Sequence, residues 1–213
     1  MSISDPFAED SAGRSDRQYG VMPAVVIDNN DPTQLGQVKI RLPHMTDDAV
    51  GPWARVAVLM GGGNRGTFFL PEEGDEVLVA FENGDPSKPY ILGGLWNNVD
   101  QPPDPNADGK NNKRLIKSRS GHLIRLDDTD GAEKVEIIDK SGNNSITFDS
   151  SSNTITITSA QDVNINAAQG TITLSAKTIS ISSSGDTTIA ATGGLTLQAS
   201  GSTTIKGTTV DIN

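Results

Sequence analysis

The chain has no cysteine among its 213 residues, so neither a disulfide framework nor thiol chemistry is available to it. Aromatics make up only 4%, and none follows Phe148; the eleven prolines stop at Pro105. The last third therefore lacks both the large rings that anchor an ordinary globular core and the residue that interrupts strands. Basic residues are also in short supply. Seventeen Lys and Arg face 27 Asp and Glu, for a formal net charge of -10, and residues 1–100 hold fifteen acids against seven Lys or Arg. No basic stripe is left to follow a phosphate backbone or an anionic membrane surface, which argues against nucleic acid as a partner. The first twenty residues are polar and acidic, unlike a signal or transit peptide, and no apolar run approaches a membrane span. The expectation is synthesis in the cytoplasm without a signal peptide, any export being left to a machine that reads no such signal.

What the chain does have is a beat. From Ile155 onward, apolar residues flank one polar residue about every eight positions: Ile155/Ile157, Val163/Ile165, Ile172/Leu174, Ile179/Ile181, Leu195/Leu197 and Val210/Ile212. Two further units, ending on Ile189 and Ile205, carry Thr187 and Thr203 at the first apolar place. An apolar-polar-apolar triplet is the period-2 signature of a strand with one covered face. The residues between triplets are Ser, Thr, Gly, Asn, Asp and Ala, which favour turns. After residue 150 only Asp162, Lys177, Asp186, Lys206 and Asp211 are charged. A polar, low-complexity tract is often disordered, but disorder has no reason to keep a register, so the regular aliphatic spacing predicts ordered repeating β-structure.

The front half predicts a small β-barrel. Val25 to Ile27 runs into a turn at 28–32, and 37–42 alternates Val38, Ile40 and Leu42 with Lys39 and Arg41. Further strands are predicted over 53–59, 67–70, 76–82 and 90–95, with Trp53, Phe69 and Phe81 as core residues. Five or six short strands with Gly, Pro and Asp turns suggest a closed or nearly closed antiparallel barrel of the five-stranded OB type.

No catalytic, cofactor or metal site emerges. Gly61, Gly63 and Gly66 match a dinucleotide fingerprint in spacing only, because a strand rather than a helix is predicted after them; they read as a hairpin loop. His44 and His122 stand far apart without metal-ligand spacing. The run from Asp127 to Gly131 lacks the glutamate a calcium loop places at its twelfth position, since that residue is Ile138; it reads as a turn. Single-stranded nucleic acid binding by an OB barrel wants a cationic groove with exposed aromatics, and this barrel is acidic.

Several separated runs together resemble a known family. They are 36–43 (GQVKIRLP), 51–56 (GPWARV), 71–79 (PEEGDEVLV), 81–86 (FENGDP) and 89–96 (PYILGGLW), followed by 117–126 (KSRSGHLIRL) and 134–139 (KVEIID). In this order, ahead of the octads, they resemble phage baseplate assembly protein V and the VgrG-type central spikes of type VI secretion and related contractile injection systems, over roughly 20–213. The resemblance implies a homotrimer in which OB domains ring the base and C-terminal segments intertwine into a β-prism. It implies a spike that punctures a target envelope, contacting the target membrane only then, as part of an assembled phage tail or injection particle. Its implied partners are a separate hub protein at the tube end and a PAAR-type tip protein at the other. The interval 101–120 is too short for the lysozyme domain inserted in some phage spikes, so no muramidase activity is implied. No histidine follows His122 to supply the His-x-His iron site of some spike tips, which fits a separate tip protein.

The octads reach three copies by a second path. Each offers one narrow apolar stripe, too little to offset the entropy of ordering its backbone, and a lone chain would expose long unpaired strand edges. Three chains winding together let each strand pair with neighbours from the other copies; at about 4.7–4.9 Å between strands, eight octads would rise roughly 40 Å. A one-chain β-helix with three octads per coil would give under three coils, few for a solenoid.

The fold class read from the sequence is thus all-β: an OB-fold barrel followed by an intertwined triple-stranded β-helix, formed as a homotrimer. The expected divisions are an arm at 1–19, the OB domain at 20–100, a linker at 101–120 and the spike at 121–213. The expected trimer core is Ile155, Ile157, Val163, Ile165, Ile172, Leu174, Ile179, Ile181, Ile189, Leu195, Leu197, Ile205, Val210 and Ile212. Val210, Asp211, Ile212 and Asn213 are the expected tip-docking residues. The alternative function is a β-helical tailspike or adhesin binding polysaccharide, which usually needs aromatics and carboxylates along one face; residues 151–213 have no aromatic and three acids.

Overall fold

Alternation of aliphatic and polar residues sets the first strands, and the burial of their side chains follows it. The computed structural model describes residues 17–46 and 51–211; most of the arm at 1–19, together with Ile212 and Asn213, lies outside the described residues. In β2 (Gln37–Arg41), Val38 and Ile40 are buried while Gln37, Lys39 and Arg41 are only partly covered. In β6 (Glu76–Phe81), Val77, Val79 and Phe81 point inward on the same period. With β1 (Val21–Asp28), β3 (Trp53–Val56) and β7 (Pro89–Gly94), they close a barrel in the order β1-β2-β3-β7-β6. Four of the pairings are antiparallel, and a parallel pairing of β3 with β7, Arg55 opposite Tyr90 and Val56 opposite Ile91, closes the ring. The core is small and wholly aliphatic apart from Phe81: Ala24, Val26, Val38, Ile40, Leu42, Ala54, Val77, Val79 and Ile91.

Two expectations for the barrel need correcting. Residues 67–70 form no strand; the glycine loop itself makes a minimal hairpin, β4 (Gly61–Gly62) with β5 (Arg65–Gly66). Thr67 still donates its N–H to Met60 O at 3.0 Å, and beyond that bond no neighbouring strand remains, because the ring is already closed by five others. Phe69 is accordingly exposed, like Phe68, and Trp53 is only half-buried, with Lys39 Nζ 5.7 Å from its ring centroid. Of the three aromatics expected in the core, Phe81 alone is buried.

A second sheet follows in the meander order β12-β11-β10-β9-β8. Its strands are β8 (Lys113–Lys117), β9 (Leu123–Asp127), β10 (Lys134–Ile138), β11 (Ser145–Asp149) and β12 (Thr154–Thr158). All are antiparallel, and all pair in register without a bulge. The interval read as a linker thus holds β8, and residues 121–158 form hairpins within one chain. The runs from Asp127 to Gly131 and from Asp139 to Asn144 are turns of this sheet. In the first, the Asp127 carboxylate accepts from the N–H and hydroxyl of Thr129 at 3.1 and 2.5 Å.

The chain divides into two units, one ending at Gln161 and the other beginning at Asp162. The second has no paired strand among its described residues, and every one of them is exposed. Its bends fall at 168–170, 177, 184–185, 192–193, 200–201 and 208, each between one apolar triplet and the next. No helix among the described residues is long and apolar enough to cross a membrane.

Candidate assembly interface

The pairing register sorts the five-stranded sheet into two faces of opposite character. Ile116, Ile124, Ile137, Ile146 and Ile157 lie opposite one another in turn and make one row across all five strands. Two positions along, Arg114, Leu126, Val135, Phe148 and Ile155 make a second row on the same face. All nine of these apolar side chains are exposed, Ile155 and Ile157 the most, at 67% and 64%.

The opposite face carries the sheet's paired charges together with the partly covered Leu115, Leu123 and Ile138. Lys113, Asp127, Lys134 and Asp149 alternate in sign across four strands. Beside them Arg125 Nε and Nη2 lie 2.8 and 2.5 Å from Glu136 Oε2, and Lys134 Nζ is 3.3 Å from Oε1. Asp127 and Glu136 are buried, so these carboxylates have their partners. A sheet usually turns its aliphatic face inward and its charged face to water; in the lone chain this one does the reverse.

The loop between β10 and β11 is held by Asp139. Its carboxylate accepts from the Ser141 hydroxyl at 2.8 Å, from Asn144 Nδ2 at 2.9 Å and from the Asn144 N–H at 3.3 Å. The Ser141 hydroxyl is the largest influence on its acidity; slight desolvation opposes it and the Asn144 bonds add to it, leaving the pKa lowered to about 2. An unfolded aspartate titrates near 3.9, so this bond set stabilises the sheet above about pH 4 and is lost as pH falls toward 2. Wild-type protein is therefore expected to melt above its Asp139→Asn variant at neutral pH. The gap in midpoint should close between about pH 4 and 2, which a pH series of circular-dichroism melts measures.

The sequence-predicted core residues are uncovered as well. From Ile155 to Val210 their side chains are 47–75% exposed, without exception among the described residues. Val210 and Asp211 are likewise exposed, and Ile212 and Asn213 fall outside the described residues. Sequence reasoning missed Ile116, Ile124, Leu126, Val135, Ile137, Ile146 and Phe148, although the signal was present. Ile124/Leu126, Val135/Ile137 and Ile146/Phe148 are the same triplets, each followed by the next, and the last by Ile155/Ile157, after eleven, eleven and nine residues instead of eight. The described residues include no group of three or more His, Asp or Glu placed to hold a metal ion. His122 accepts a bond from the Lys140 N–H at Nδ1, 3.2 Å away, as part of a loop.

Residues 22–96 match the family described as the type VI secretion system/phage-baseplate injector OB domain, a segment that runs from the second residue of β1 through β7. The chain is 30% identical over 116 residues to the type VI secretion system spike protein VgrG1a of Pseudomonas aeruginosa, covering 49% of this chain and 18% of that protein. Against spike protein VgrG3 of Vibrio cholerae it is 27% identical over 110 residues, covering 47% of this chain and 11% of the relative. Against the actin cross-linking toxin VgrG1 of Vibrio cholerae the figures are 35% over 72 residues, 32% and 7%. The chain thus spans less than a fifth of the length of these relatives.

Proposed function

We propose that this VgrG-type baseplate relative, which carries an injector OB domain at residues 22–96, is the structural central spike of a contractile injection machine. Three copies wind into a needle that caps the tube and pierces the target envelope when the sheath contracts. The observation that carries this reading is the uncovered aliphatic surface. Among the described residues, aliphatic side chains stand exposed in two rows of the five-stranded sheet and again at every apolar position from Val163 to Val210. Exposed apolar surface of that extent marks an interface, and a repeat of eight residues with a bend between segments suits a chain circling an axis with others. The shaft's outer surface is then Ser and Thr, slim and with little charge. Its role is mechanical rather than enzymatic.

In this reading a separate hub protein joins the barrel end to the tube, and a PAAR-type tip protein docks on Val210, Asp211, Ile212 and Asn213, where the last strands of three chains end. The curated relatives are named as spike proteins, which favours this function over a polysaccharide-binding tailspike. Imaging tests it: an affinity-labelled chain in assembled particles should be seen at the leading end of the tube. Label on the sheath, or particles that assemble and inject without the chain, would contradict it.

A further inference from the structure

We infer that the outer face of β2, β3 and β7 is a docking surface for an acidic segment, and that its occupant is residues 1–16 of the same chain. The assignment concerns one copy and does not rest on the spike reading above. Two cations lie over two rings on this face. Lys39 Nζ is 5.7 Å from the Trp53 ring centroid, and Arg55 Cζ is 5.5 Å from that of Tyr90. The registers make all four neighbours: Lys39 stands opposite Trp53 and Arg55 opposite Tyr90, and Trp53 and Arg55 share one face of β3. Lys39 and Arg55 are thus diagonal neighbours, about 7–8 Å apart at the backbone. Arg41 follows Lys39 two residues along β2. On a chain of net charge -10, this is a local patch of the opposite sign.

The fold leaves that charge unmet. Among the described residues neither Lys39 nor Arg55 has a carboxylate partner, whereas Lys113, Arg114, Arg119 and Arg125 each have one. Asp28 stands opposite Lys39, but its carboxylate accepts from the Asn30 N–H at 2.8 Å. Glu82, on the far side, accepts from the Tyr90 hydroxyl at 2.5 Å and pairs with Lys88. Barrels that bind single-stranded nucleic acid also combine cations with rings, on which the bases stack. Here the cation heads already lie over the ring faces, so they leave no platform for bases. Carboxylates can reach the same heads from outside.

Residues 1–16 supply the matching charge: Asp5, Glu9, Asp10 and Asp16 against Arg14. They are joined to the barrel beside this face. Gln18 N–H donates to Gly84 O at 2.8 Å, and Arg17 Nη1 to Asn83 O at 3.1 Å, in the turn whose Glu82 holds Tyr90. From β7 across β3 to β2 is two strand spacings, about 10 Å, and sixteen residues can reach about 50 Å. The other acidic run of the barrel is engaged where it stands. Glu72 pairs with Arg119, Asp75 accepts from the Glu72 N–H at 2.8 Å, and Glu76 accepts from Asn97 Nδ2 at 2.9 Å.

Carbodiimide coupling on the full chain tests the assignment, because it joins a carboxylate to an amine it touches. Mass spectrometry of a digest should find Lys39 linked to Asp5, Glu9, Asp10 or Asp16. The yield should fall at least about fivefold between about 0.01 M and about 1 M salt, as screening shortens the reach of the charges. In assemblies formed from mixed 15N-labelled and unlabelled chains, both linked residues should come from one chain. A second readout uses the full chain carrying Asp5→Asn, Glu9→Gln, Asp10→Asn and Asp16→Asn. It should be retained on heparin at low salt where the native chain is not, and adding Lys39→Gln and Arg55→Gln should abolish the retention. Links spread evenly over exposed lysines such as Lys110 and Lys140, or equal heparin elution with and without the four carboxylates, overturn the assignment. Links found only between labelled and unlabelled chains put the segment on a neighbouring copy and overturn it for the chain's own barrel.

Discussion

Replacing Ile172 with Asp is expected to convert the trimer into single chains. Ile172 opens the third octad, and its side chain stands half-exposed in the lone chain on the row assigned to the shared axis. In the trimer the substitution would bring three carboxylates together where water is excluded, at a cost on the order of several kcal/mol for each. Mutual repulsion adds to it, and protonation, which burial and repulsion both favour, still leaves three polar groups without partners on an apolar axis. Thr173→Asp adds the same charge one residue along, on the other side of the strand, and should leave the assembly intact. Measured by light scattering after size exclusion, the pair separates an inward position from a general intolerance of charge. Equal masses for both variants would reject the inward assignment.

The second large effect is expected at Gly51, in the barrel. A Cβ there would lie 1.6 Å from Ile40 O and 2.7 Å from the carbonyl carbon of Ile40. The obstacle is backbone, and it has no room to yield: Ile40 is fully buried in β2, which pairs with β1 on one side and β3 on the other. Ile40 N–H also donates to Pro52 O at 3.1 Å, so the glycine lies where the chain entering β3 passes closest to β2. Gly51→Ala should cost the barrel about 3 kcal/mol or more, at or beyond the upper end of overpacking effects. Gly63→Ala, with nothing within 4 Å, should stay within about 0.5 kcal/mol. Urea unfolding followed by the fluorescence of Trp53 and Trp96 measures both. A Gly51→Ala midpoint equal to that of Gly63→Ala would show that the close approach is not a constraint.

The sequence made the barrel legible wherever alternation was strong. Val38 and Ile40, and Val77, Val79 and Phe81, face inward as their spacing requires. Residues 67–70 have good strand composition, yet they form none, because a strand also needs an edge to join and the five-membered ring has no edge left. Composition alone carries no account of that vacancy. The same limit hid the second sheet. Its triplets, Ile124/Leu126 through Ile146/Phe148, repeat like the octads, but loops of four to six residues stretch their spacing and disguise the continuity.

The exposed face could be read from alternation, but the pairing of Arg125 with the buried Glu136 could not: both residues read as ordinary strand charges until the register sets them opposite each other.

The most direct measurement is the mass of the unaltered, purified chain in solution at neutral pH and micromolar concentration. A folded species of three times the 22.4 kDa chain mass is expected, since in the proposed spike neighbouring copies cover the exposed aliphatic side chains of both units. A well-folded particle of single-chain mass, with those aliphatic rows in water, would contradict the spike.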